Sequence, residues 1–141
     1  MKMILLNLRK KLKSNLRVMI RVVCGVIYKD DKILLTRRKK GKSLEGYWEF
    51  PGGKVEEGET DKSALQRELN EELGLRVSEL TYFSENKHEY ETFSIHLIAF
   101  KCNARDNPKR LVDHDKFEWL NSEEIKNLNL AEADKPFVEI L

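Results

Sequence analysis

The chain has 141 residues, of which 40% are hydrophobic and 35% are charged. This length suits one domain with its own core, and the composition excludes both a disordered chain and a membrane-embedded one. The 26 basic and 24 acidic residues give a formal charge of +2, which argues against a protein that coats a nucleic-acid polymer.

Residues 1–18 differ from the rest of the chain because leucines at helical spacing alternate with basic residues. We predict a basic amphipathic N-terminal extension, which either packs on its own domain or contacts a lipid or a partner. The whole chain lacks a run of roughly 18 apolar residues and a signal segment, so we expect no membrane span and a cytoplasmic location. Residues 19–141 are predicted to form a single domain.

The next segments predict two paired strands and a turn. Residues 21–28 are rich in β-branched side chains, residues 29–31 are polar, and residues 32–37 are apolar again, which predicts a β-hairpin. Residues 38–46 are polar and end in glycine, which indicates a flexible loop. The sequence Pro51-Gly52-Gly53 then predicts a sharp break in the chain.

A helix is predicted from Thr60, which is suited to the N-cap position, to Leu73, with Gly74 ending it. The two cysteines each lie in a strand-like run, and we expect both to be buried and reduced. The remaining patterns predict strands at 80–87, 92–102 and 117–120, a helix at 122–128 capped by Ser122, and a last helix at 131–141.

Three carboxylates lie on one face of the predicted helix: Glu68, Glu71 and Glu72. Leucines at 65, 69 and 73 form the stripe that packs inward, so the acidic face must line a cleft or face solvent. Mutual repulsion of the carboxylates would be relieved by a hard divalent cation, which prefers oxygen ligands. Taken alone, the same glutamates favour a solvated helix on which Arg67 forms an ordinary ion pair with Glu71.

A longer spacing pattern decides between these readings. The chain reads Gly53-x5-Glu59-x7-Arg67-Glu68-Leu69-x-Glu71-Glu72-x-Gly74-Leu75 and resembles the Nudix box at every defined position. The stretches Glu49–Lys54 and Thr36–Arg38 resemble the MutT branch of that family. The resemblance implies an α/β fold, an α/β/α sandwich around a mixed sheet in which the box forms a loop, a helix and a loop.

The resemblance also implies the roles of the box residues. The three glutamates would bind Mg²⁺, with Mn²⁺ as an alternative, together with the backbone carbonyl of Gly52 or Gly53. Arg67 would orient the glutamates, and Glu59 and Gly74 would be structural.

MutT-type enzymes attack the β-phosphorus of a nucleoside triphosphate with water and release a nucleoside monophosphate and pyrophosphate. The resemblance leaves the general base open among Glu71, Glu68 and Asp113, and His114 is either a base or a surface histidine. Arg38, Lys54 and Arg37 are candidate phosphate contacts, with a solvated edge as the alternative.

Two residues bear on which nucleobase the substrate contains. Phe50 is expected to line either the pocket for the nucleobase or the hydrophobic core. In oxidised-guanine hydrolases of the MutT type, a Pro-Ala-Asn-x-Pro segment brings asparagine to the base, whereas residues 132–136 here read Glu-Ala-Asp-Lys-Pro. Asp134 resembles the CTP pyrophosphohydrolase branch instead, although a carboxylate also accepts hydrogen bonds from guanine. Its alternative role is a helix cap before Pro136.

The expected function is thus a Mg²⁺-dependent pyrophosphohydrolase that acts on a small nucleoside triphosphate, as a monomer or a homodimer. We expect nucleotide-pool sanitation by hydrolysis of 8-oxo-dGTP, with CTP, dCTP or 5-methyl-dCTP as the alternative substrates. One rival is a Nudix enzyme for ADP-ribose, NADH, dinucleoside polyphosphates or mRNA caps. The other is a non-catalytic Nudix module, but such proteins usually lose box glutamates and none is missing here.

Overall fold

A mixed seven-stranded sheet forms the centre of the structure, a computed structural model that describes residues 18–141. The main order is β3-β2-β1-β6-β5, with β4 beside β1 and β7 beside β2. β1 pairs with β6 in parallel, and the other strand pairs within residues 18–141 are antiparallel. The strands are β1 (Val18–Lys29), β2 (Lys32–Arg38), β3 (Trp48–Glu49), β4 (Gly52–Lys54), β5 (Ser78–Glu89), β6 (Phe93–Asn103) and β7 (His114–Leu120).

Helices cover both faces of this sheet. Helix α1 (Asp61–Leu73) buries its leucine stripe against Val23 and Ile27 of β1. Alternate residues of β1 face the opposite core, which contains residues of α2 (Ser122–Lys126) and α3 (Lys135–Val138). The predicted α/β/α sandwich is therefore confirmed. None of the helices within residues 18–141 is both long and apolar enough to cross a membrane.

The predicted hairpin between β1 and β2 is confirmed, with Asp30 and Asp31 in the left-handed region at its tip. The two strands pair only beside this turn. Farther along, β1 pairs with β4, so the expected break at Gly52-Gly53 is wrong in part: the chain leaves β3 through Pro51 and then forms a strand. A Cβ on Gly52 would overlap the Val23 carbonyl oxygen, so only glycine permits this approach. β4 thus separates β1 from β2 and leaves room for a cleft.

The ends of the helices follow local capping rules, with two corrections. Thr60 and Gly74 cap α1 as predicted. The next helix is capped by Asn121 instead of Ser122 and ends at Lys126. The last predicted helix is a 3₁₀ turn (Glu132–Asp134) followed by α3, because Pro136 lacks an N–H and fits only the first turn of a helix. Of the predicted extension, Val18 already belongs to β1 and residues 1–17 lie outside the described residues.

Both cysteines are buried and free, as expected. Cys24 lies in the core beneath α2 and α3, whereas Cys102 lies in the core beneath α1. The sheet therefore separates the two thiols.

Candidate active site

A cleft of about 510 Å³ opens beside β1 and β4. One end is lined by charged side chains, and the other end by apolar and aromatic ones. The charged end contains Arg38, Lys42, Lys54, Glu56, Glu68, Glu72 and Asp113. The apolar end contains Phe50, Tyr90, Phe93, Ile95, Leu97 and Ala133, with Asp134 among them. The cleft therefore suits an elongated ligand with one anionic and one apolar part.

Arg67 is the centre of the hydrogen-bond network beside this cleft. Its Nε and Nη2 donate to both Glu59 carboxylate oxygens, at 2.6 and 2.8 Å, and Nη2 also donates to the Lys54 carbonyl at 3.0 Å. Nη1 donates to Glu68 at 2.9 Å and to Glu71 at 3.2 Å. The fork of one guanidinium thus joins the loop after β4 to the acidic face of α1.

Glu59 holds the loop as well as Arg67, because its Oε1 accepts the Glu56 N–H at 2.9 Å. The hydrogen bonds from Arg67 lower the pKa of Glu59 to about 2, so its carboxylate stays ionised. Both contacts agree with the structural roles that the resemblance implies. The effect of these residues on catalysis stays a prediction.

The three glutamates differ in their surroundings. Glu71 is 57% exposed at its side chain, whereas Glu68 is only 15% exposed. Burial raises the pKa of Glu68, and burial together with the nearby Asp113 carboxyl raises the pKa of Glu72. Although burial opposes it, hydrogen bonds from Lys42 and Glu72 leave the pKa of Asp113 below its usual value. The Glu72 and Asp113 carboxyl groups therefore lie close together at the charged end of the cleft.

A divalent cation fits the chemistry of this end. Glu72 Oε2 is buried without a hydrogen-bond partner within residues 18–141, and three further acidic side chains, Glu56, Glu68 and Asp113, line the same end of the cleft. A hard cation would supply the missing partner and neutralise the crowded charge. As they stand, no three His, Cys, Asp or Glu side chains of the described part converge on one point, because Glu71 turns to Arg67 and Glu72 to Asp113. The ligand assignment, including the carbonyl of Gly52 or Gly53, stays a prediction.

The absence of a side chain at Gly53 leaves space for the Glu68 side chain, and a substitution of Gly53 tests whether the position of Glu68 matters for activity. A Cβ on Gly53 would overlap the Glu68 carboxyl group and lie 2.7 Å from its Cγ. Gly53→Ala is therefore expected to displace this side chain and lower turnover by about tenfold or more, with little change in stability. Gly52→Ala would instead meet the β1 backbone, 2.7 Å from Cys24 Cα, which cannot move aside. Urea unfolding should show the larger stability loss for Gly52→Ala, and the reverse order would contradict this account.

The three predicted phosphate contacts occupy different positions. Arg38 and Lys54 line the cleft, and Arg38 is held by the Ser43 carbonyl at 3.1 Å. Arg37 does not line it: its Nε donates to Asp115 at 2.7 Å on the outside. Successive residues of a strand point to opposite faces, which separates the two arginines. The sequence did not single out Lys42, because residues 38–46 were assigned only as a loop.

His114 is buried, so its assignment as a surface histidine is wrong. Its Nε2 lies 2.9 Å from Glu49 Oε2, and both side chains line the cleft. Glu49 was quoted only as part of the MutT-like stretch, and no local pattern predicts its pairing with a residue of β7.

Asp134 is buried at the apolar end, where its Oδ2 accepts the Phe50 N–H at 2.8 Å. It occupies the N-cap position of α3, before Pro136, but its side chain makes no capping hydrogen bond there. Burial, and then the charge of Glu49, raise the pKa of Asp134 well above its ordinary value. Phe50 belongs to the core and also lines the cleft, and its contact with a nucleobase stays a prediction.

An aromatic wall at the apolar end was not predicted. The rings of Tyr90 and Phe93 are stacked with centroids 5.0 Å apart, where the chain turns between β5 and β6. Both residues line the cleft. Aromatic residues beside a turn have no sequence feature that assigns them to a site.

Comparisons with known proteins agree with this geometry. A NUDIX domain model matches residues 22–139. The chain is 38% identical to the CTP pyrophosphohydrolase of Escherichia coli (strain K12) over 121 residues, which cover 86% of this chain and 90% of that protein. It is 40% identical over 121 residues to the 8-oxo-dGTP diphosphatase of Buchnera aphidicola subsp. Schizaphis graminum, covering 85% and 91%. The crystal structure of MutT protein from Methanosarcina mazei Go1 has a TM-score of 0.77 at 25% identity, covering 88% and 93%. The chain therefore belongs to the Nudix hydrolase family.

Proposed function

We propose that this protein is a Mg²⁺-dependent nucleoside triphosphate pyrophosphohydrolase of the MutT type, which hydrolyses its substrate to a nucleoside monophosphate and pyrophosphate. The observation that carries this proposal is the continuity of the cleft, which joins the carboxylates of α1 to an apolar end containing Asp134. A triphosphate with its metal suits the charged end, and a nucleobase suits the apolar end. The intact set of box glutamates favours catalysis over a binding module.

In this proposal the charged side chains share the work on the phosphate chain. A bound divalent cation supplies neutralisation of the phosphates and activation of the attacking water. Glu68 and Glu72, which line the cleft, hold the cation together with Glu71, which lies on the same helix but does not line the cleft. Arg38 and Lys54 bind phosphate oxygens. The proton acceptor is one of the three carboxylates Glu71, Glu68 and Asp113.

For the base, we propose an oxidised guanine, as in 8-oxo-dGTP, because diphosphatases of that nucleotide are among the similar proteins. A cytosine nucleotide is the second candidate, favoured by Asp134 and by the similarity to a CTP pyrophosphohydrolase. The raised pKa of Asp134 supports a neutral carboxyl, which both donates and accepts hydrogen bonds. Either base offers such an edge. We place the enzyme in the cytoplasm, in keeping with its two free cysteines.

Pyrophosphate release with Mg²⁺ tests the proposal. The panel of substrates contains 8-oxo-dGTP, dGTP, CTP, dCTP, 5-methyl-dCTP and ADP-ribose, and kcat/KM is compared among them. The Glu71→Gln variant, purified in parallel, is the control that reveals contaminating phosphatases. Preference for 8-oxo-dGTP would establish sanitation of oxidised purines, and preference for the cytosine nucleotides would establish the second candidate. Hydrolysis of ADP-ribose alone, or of nothing, would refute the MutT-type assignment.

A further inference from the structure

Lys42 lies in the loop between β2 and β3, which overhangs the charged end of the cleft. The neck of this loop is closed by two backbone hydrogen bonds of 2.9 Å, from Arg38 to Tyr47 and from Gly46 to Arg38. The Lys39 N–H donates to the Asp113 carbonyl at 3.1 Å, which fastens the loop to the segment before β7. Lys42 is thereby directed at the cleft, whereas Lys40 of the same loop is exposed outside it.

Lys42 provides a positive charge for two acids. Its Nζ lies 3.0 Å from Asp113 Oδ1, and the Asp113 carboxyl lies close to that of Glu72, which also lines the cleft. Glu72 is one of the residues proposed to hold the divalent cation. One lysine therefore compensates the charge at the place where a metal would compensate it.

The Lys42–Asp113 ion pair is easier to exchange than the ion pairs of Arg67. Arg67 is fixed by several hydrogen bonds to Glu59, Glu68 and a backbone carbonyl. Lys42 holds Asp113 by a single pair, and the two side chains are 36% and 26% exposed. Pairs of this exposure contribute little to stability, because water screens them and a long side chain must be ordered. Lys42 is thus held weakly beside the proposed metal position.

We propose that Lys42 and the divalent cation compete for the Asp113–Glu72 pair, and that a bound cation releases Lys42 to contact the phosphate chain of the substrate. The first half follows from charge compensation, because the same two carboxyl groups cannot be paired fully with both cations. The second half rests on the proposed function. A lysine released from Asp113 remains on a loop that overhangs the charged end of the cleft, where an anionic ligand would attract it.

Metal titration without nucleotide tests the first half. Mn²⁺ binding by electron paramagnetic resonance and Mg²⁺ binding by calorimetry are measured for wild type, Lys42→Met and the matched control Lys40→Met. Lys42→Met is expected to bind either metal about threefold to tenfold more tightly, because a competing cation is gone, whereas Lys40→Met should bind like wild type. Equal or weaker binding by Lys42→Met would overturn the competition.

Steady-state kinetics with the best substrate of the panel test the second half. Lys42→Met is expected to raise KM about tenfold at saturating Mg²⁺ and to change kcat less than threefold. Lys42→Arg keeps the positive charge, so its KM should lie close to that of wild type. An unchanged KM in Lys42→Met would exclude the phosphate contact. If wild type hydrolyses no nucleotide, the proposed function fails, while the metal titration still decides whether Lys42 competes with the cation.

Discussion

Glu71→Gln is expected to reduce pyrophosphate release by about a thousandfold or more, which corresponds to roughly 4 kcal/mol of transition-state stabilisation. Glu71 projects from the exposed side of the acidic face of α1, and Arg67 donates to it at 3.2 Å. Glutamine has the same shape and keeps an oxygen for this hydrogen bond, but it removes the negative charge. The loss would therefore fall on cation binding and proton transfer, not on folding.

Thermal unfolding and activity, measured together, distinguish a loss of the catalytic charge from a loss of folding. Because the Glu71 side chain is 57% exposed, we expect the midpoint of thermal unfolding to shift by less than about 2 °C. Glu123→Gln is the matched control, since Glu123 also lies exposed on a helix in an ion pair, here with Lys126, and it should retain full activity. Retained activity in Glu71→Gln would contradict its assignment and move the chemistry to Glu68, Glu72 and Asp113.

Features that depend on neighbours in the sequence were predictable. The α1 helix is specified within its own span, by the Thr60 cap, the leucine stripe and Gly74. The spacing of Arg67 and the three glutamates is likewise local, because a helix of 3.6 residues per turn places them close together on its surface, and Glu59 lies just before the helix. The turn at Asp30-Asp31 is short enough to set the hairpin. In each case the deciding contacts join residues that are close along the chain.

The parts that were missed depend on contacts between distant segments. Asp134 lies 84 positions from Phe50, whose N–H it accepts, so its orientation depends on how α3 docks on the sheet. His114 became buried because β7 pairs with β2, which brings it to Glu49. The same pairing brings Asp113 to Lys42. A single sequence contains no periodic feature that predicts these pairings, whereas it does contain the local features of α1.

Arg67→Met is expected to have the largest combined effect, with loss of activity and a lower free energy of unfolding by about 1–3 kcal/mol. The substitution leaves Glu68, at 15% side-chain exposure, without its cationic partner. It also removes the donor to the Lys54 carbonyl and the fork that holds Glu59. Methionine retains the apolar stem, so the loss would come from the guanidinium. Arg67→Lys should be intermediate in both measurements, because one ammonium cannot bond Glu59, Glu68 and a carbonyl together.

The pH dependence of stability identifies the Glu59 part of this effect. The pKa of Glu59 in the folded protein is about 2, below its ordinary value of 4.5. The pairing of Glu59 with Arg67 therefore stabilises the wild type fully at pH values above 4.5, and this stabilisation is lost as the pH falls toward 2. The gap in unfolding free energy between wild type and Arg67→Met should therefore narrow from about pH 6 to about pH 3. Urea unfolding at several pH values measures this difference in unfolding free energy. Arg37→Met is the control, because it loses an exposed ion pair with Asp115, and its unfolding free energy should match that of wild type near neutral pH. A gap that stays constant or widens on acidification would mean that Arg67 does not stabilise the protein through its carboxylate partners, and its hydrogen bond to the Lys54 carbonyl, which does not titrate, would then carry the effect.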